Sequence, residues 1–99
     1  MPQEFRILSF SKNEVFNALQ NYCTNTGSKL AEDGRNRLVL EPGGEVMIEQ
    51  PGESVHFTQT EVAAALILFC ALNSIPIARR SSKSLEVTGE TLNLRLKIS

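Results

Sequence analysis

The chain has 99 residues, 41% of them hydrophobic and 21% charged, with a formal net charge of -1. Those values fit one globular domain over residues 1–99 and exclude a disordered chain or a globally basic nucleic-acid binder. One histidine and two cysteines also fall short of the four ligands of a zinc site built from Cys and His alone.

The longest apolar run, Val62 to Leu72, spans 11 residues, and a membrane-spanning helix needs about 20. No membrane partner is expected. Met-Pro-Gln-Glu-Phe-Arg at the start has neither a basic n-region nor an apolar h-region, so no secretory signal is expected. Cys23 and Cys70 do not make a disulfide framework. The expected location is the cytoplasm, with reduced thiols.

The first predicted strand covers Glu4 to Phe10. Phe5 and Ile7 alternate with Glu4 and Arg6, then Leu8 and Phe10 break phase, which predicts a bulge or burial on both faces. Ser11-Lys12-Asn13-Glu14 has the form of a capping box. The helix behind it aligns Val15, Phe16, Leu19, Tyr22 and Cys23 in one stripe, and Gly27 is a natural stop. Asp33-Gly34, Pro42-Gly43-Gly44 and Pro51-Gly52 then punctuate the chain. They predict an antiparallel meander over Arg37–Glu41, Glu45–Gln50 and Ser54–Phe57. Ser28 to Glu32 is a weaker candidate for an additional strand.

Thr58-Gln59-Thr60-Glu61 is a second capping box. The helix after it, to about Ser74, is apolar on every face and so calls for cover all round. Pro76 should end it. Leu85 and Val87 form a short strand, and Thr88-Gly89-Glu90 a turn. Leu92, Leu94, Leu96 and Ile98 then alternate with Asn93, Arg95 and Lys97, one face buried and one wet. The sum is an α+β fold in the order β-α-β(β)ββ-α-ββ, a mainly antiparallel sheet packed against two helices.

Charge is uneven along the chain. Residues 41–61 hold five glutamates and no base; residues 62–99 hold five Lys or Arg against Glu86 and Glu90. An acidic meander and a basic last third can steer association, although charge alternation along a chain also arises on ordinary solvated faces.

Two segments stand out as candidate binding sites. Arg79, Arg80, Ser81, Ser82 and Lys83 follow the apolar helix, and guanidinium forks and hydroxyls suit phosphate or carboxylate oxygens. Without a glycine this is no P-loop, and its cations would equally favour the end of the helix dipole. On the apolar helix, Ala64 and Ala71 are seven apart with Leu68 beside them. A chain with two helices and one sheet has little to cover that helix on all sides, which points to a homodimer.

Other chemistry is less well supported. The helix–three-strand–helix run from Ser11 to Ser74 has the order of a double-stranded-RNA-binding domain. Where that family carries lysines, this chain has Thr58, Gln59, Thr60 and Glu61, which argues against nucleic acid. His56 with Cys23 or Cys70 is arithmetically a nucleophile pair, but both thiols sit on apolar stripes, where cysteine acts as a small hydrophobe. Glu45 and Glu49 on one strand lie about 13 Å apart, too far for a carboxylate dyad. The expectation is therefore a protein-interaction module with no catalytic role, cofactor or metal. It would self-associate through Ala64, Leu68 and Ala71 and take an acidic partner at residues 79–84. The competing expectation is a module holding an anion, a nucleotide or a nucleic-acid backbone with Arg79, Arg80 and Lys83.

Overall fold

The computed structural model describes residues 4–26, 36–78 and 81–98. The chain runs β1 (Glu4–Ser11), α1 (Lys12–Thr26), β2 (Arg37–Leu40), β3 (Val46–Gln50), β4 (Glu53–Phe57), α2 (Gln59–Leu72), β5 (Ser82–Thr88) and β6 (Thr91–Ile98). The suggested strand at Ser28 to Glu32 and the Gly27 stop lie outside the described residues. The α+β class holds, with the strands divided between two antiparallel sheets, β1-β6-β5 and β2-β3-β4.

The first sheet is built around β6. Leu92 and Leu94 are fully buried and Leu96 nearly so, each contributing about 1.5–3 kcal/mol on burial. Across from them Phe10 and Leu8 of β1 pair in register with Leu92 and Leu94, and Val87 and Leu85 of β5 do so on the other side. The predicted bulge in β1 is absent: pairing runs unbroken from Glu4–Ile98 to Ser11–Thr91. The break in phase has another origin. Arg6, Leu8 and Phe10 face the core, whereas Phe5 and Ile7 stand on the opposite, open face, 64% and 58% exposed. Gly89, at φ 60, opens the two-residue β5–β6 turn, the position that a type II′ turn reserves for glycine.

Both helices start as their sequences dictate. Glu14 N–H donates to Ser11 Oγ and Ser11 N–H to the Glu14 carboxylate; Thr58 and Glu61 repeat the exchange at α2. Val15, Ala18, Leu19 and Cys23 form the buried stripe of α1, with Phe16 and Tyr22 half-buried beside it. The two helices pack on each other, and Phe69 of α2 meets Phe10 edge-on at 5.8 Å. Helix α2 ends before Pro76 acts on it. Ile75 N–H donates to Cys70 O and Ser74 N–H to Ala71 O, with Ser74 at φ 58. That is a Schellman motif with serine where glycine is usual.

In the second sheet Leu38, Val46, Ile48 and Phe57 are buried. Arg37, Val39, Glu49, Met47, Ser54 and His56 share its other face by register. The two sheets meet at the β2–β3 turn. Gly44 is buried at φ 96, and a Cβ there would lie 2.6 Å from Leu85 Cβ. The molecule measures 52 × 27 × 18 Å. Its thinnest dimension is about one helix layer on one sheet. A body this thin leaves element faces open.

Candidate functional site

Past its first turn helix α2 has no polar side, yet its fully buried side chains lie on one side. Val62, Ala65, Leu66 and Cys70 are buried, and Phe69 packs against them. The helical repeat sends Thr60, Ala64, Ile67, Leu68 and Ala71 to the opposite side. Thr60 and Ala71 are exposed, the other three half-buried, and neighbouring Leu72 is 61% exposed. The apolar composition called for cover all round; among the described residues the outer stripe lacks it.

Beside the stripe lies an open groove of about 540 Å³ between α2 and β5. Ala63, Ala64 and Ile67 line one wall, and Lys83, Ser84 and Leu85 the other. Gln59, in the first turn of α2, donates its side-chain N–H to Gly43 O, which ties the helix to the β2–β3 turn. The groove is thus framed by the same Gly44–Leu85 approach that joins the sheets.

The basic segment is arranged differently from a loop. Ser82, Lys83 and Ser84 belong to β5, paired with Lys97, Leu96 and Arg95 of β6. The long alternation of β6 supplies the partners that extend the strand upstream of Leu85. Lys83 takes an inner-face position and donates to Ser81 O at 2.9 Å. Ser81 is buried, its hydroxyl donating to Ala78 O at 2.6 Å. Arg79 and Arg80 lie outside the described residues. Neither Ser81 nor Lys83 is thus presented with the hydroxyls of Ser82 and Ser84, which stand on the exposed face of the sheet.

That exposed face holds cations the sequence reading did not join to it. Lys97 and Arg95 lie between Phe5 and Ile7 on β1 and Ser82 and Ser84 on β5. The Lys97 ammonium sits 5.7 Å from the centre of the Phe5 ring, within cation–π range. Arg95 meets Glu86 at 3.4 Å, both about half exposed. The alternation of β6 contained this signal, since its wet face is Asn93-Arg95-Lys97, but the partner strands were needed to complete it.

The five glutamates of the meander do not form one surface. Glu49 faces outward opposite Arg37, Glu41 and Glu45 flank the β2–β3 turn, Glu53 starts β4, and Glu61 is used in the α2 cap. A run of like charge in sequence is scattered by strand alternation and turns.

The thiols and the imidazole are apart in character and place. Cys23 and Cys70 are buried in the core, and His56 is exposed on the second sheet. Burial pushes both thiols up; Glu61 adds to the rise at Cys23, and Arg6 opposes it at Cys70. Both are neutral at pH 7 and suited to packing. Among the described residues no group of three His, Cys, Asp or Glu is placed to hold a metal ion, and no helix is long and apolar enough to cross a membrane.

No family model, no curated protein and no solved structure matches the chain.

Proposed function

We propose that the chain is a non-catalytic protein-interaction module that self-associates through the outer stripe of α2. One observation carries this reading: Thr60, Ala64, Ile67, Leu68 and Ala71 share the side of α2 opposite its buried stripe, two exposed and three half-buried, none of them charged. Full burial of a leucine or isoleucine is worth about 1.5–3 kcal/mol, and Ile67 and Leu68 have part of that gain left to make. Ala64 and Ala71 let a facing backbone come close. A second copy suits the stripe because a two-fold interface sets a surface against itself, and an uncharged surface meets no repulsion in doing so.

Size-exclusion chromatography with light scattering tests the reading on the protein and its Leu68→Glu variant. A wild-type mass that rises toward the dimer with concentration, and a variant fixed at the monomer mass with an unchanged circular dichroism spectrum, is the expected pair. A wild-type protein that stays monomeric at millimolar concentration overturns it.

A further inference from the structure

We infer that the open face of the β1-β6-β5 sheet is a second docking surface, for an acidic peptide segment carrying an apolar anchor. This extends the interaction-module reading to another face, and its failure leaves self-association through α2 untouched.

Among the described residues three large apolar side chains are strongly exposed: Phe5, Ile7 and Leu72. Two of these stand side by side, since Phe5 and Ile7 are two apart on one strand and share a face. Directly opposite them in register are the cations, Phe5 to Lys97 and Ile7 to Arg95. Beyond the cations come Ser82 and Ser84. Residues of all three strands, Phe5, Arg95, Lys97, Ser82 and Ser84 among them, line a shallow depression of about 250 Å³. An apolar strip bordered by two cations and two hydroxyls accepts an apolar side chain on one side and carboxylates on the other.

The acid on this face is Glu86, two residues from Ser84 along β5. It already occupies Arg95 at 3.4 Å, in a pair half exposed at both ends. Exposed pairs are weak, so an incoming carboxylate can replace Glu86. The pair shows which charge the face accepts.

A second copy does not suit this surface. Set against itself, it would bring Arg95 and Lys97 toward their own images. The other open sheet face is a poorer counterpart, since Glu49 on it stands opposite Arg37. Carboxylates of a different protein fit the face better than those of a second copy. A single-stranded nucleic acid is less suited, since it asks for successive stacking rings and the face pairs one ring with an aliphatic chain.

The experiment is selection of a random dodecapeptide phage library on the immobilised full chain, followed by titration of the selected peptides by fluorescence anisotropy. The result expected is peptides rich in Asp or Glu around an aromatic or aliphatic residue. They should bind about tenfold more weakly to Lys97→Glu and to Phe5→Ser. They should bind more tightly to Glu86→Gln, which removes the competing carboxylate, and this gain cannot come from misfolding. Enrichment of no peptide, or of basic or neutral ones, overturns the proposal. So does binding unchanged in all three variants, or weakened by Glu86→Gln. A dT20 oligonucleotide that binds the wild type and not Lys97→Glu, with no peptide enriched, assigns the face to nucleic acid instead.

Discussion

Replacing Gly44 by alanine probes a close approach of the two sheets at the lip of the groove. Two costs are expected. A side chain at φ 96 is strained, by about 1–2 kcal/mol. The added Cβ would also lie 2.6 Å from Leu85 Cβ. That atom is fixed to its strand, so backbone must shift, and overpacking of this kind costs about 1–3 kcal/mol. Gly52 is the control. It has φ 86 and no atom within 4 Å of an added Cβ, so alanine there carries the strain alone. Urea unfolding of both variants should therefore place Gly44→Ala below Gly52→Ala by about 1–3 kcal/mol. At about 4–8 °C per kcal/mol for a domain of this size, the melting temperatures differ by roughly 4–24 °C. Equal losses in the two variants would refute the close approach of the β2–β3 turn to β5, and with it the frame of the groove.

Other consequences are simpler to state. Thr58→Ala removes the side-chain acceptor for Glu61 N–H and should cost about 1 kcal/mol in chemical denaturation; an unchanged midpoint would mean the cap is not formed in solution. Ser74→Gly relieves a serine held at φ 58 and should stabilise by about 0.5–1 kcal/mol by the same measurement. The thiols give a pH dependence. Their folded pKa values lie above the ordinary 9.0, so the unfolded chain releases protons first as pH rises. Their contribution is intact below about pH 9 and declines above it. The urea midpoint should fall less steeply between about pH 8 and about pH 10 in a Cys23→Ala/Cys70→Ala variant than in the parent; parallel slopes would contradict the burial.

The local signals in the sequence were the most legible. Both capping boxes formed as read, because they depend on residues three apart. The β6 alternation placed Leu92, Leu94 and Leu96 in the core for the same reason. The reading of β1 failed at the bulge because the exposed Phe5 and Ile7 were counted as core; hydrophobicity alone does not tell a buried face from an exposed one. Ser82–Ser84 was read as a loop because a lysine and two serines give no strand signal, and their pairing is fixed by β6, across the turn. The acidic meander looked like a surface because sequence order ignores which way a strand residue points. The apolar stripe of α2 was legible; its exposure depended on a body only 18 Å thick, which no local pattern encodes.

Sedimentation equilibrium of the protein over a wide concentration range, at low and at high salt, tests self-association through α2 most directly. The stripe is uncharged, so a reversible dimer with the same dissociation constant at both salts is predicted, lost in Leu68→Glu. A monomer at every concentration, or a dimer that dissociates as salt rises, would contradict it.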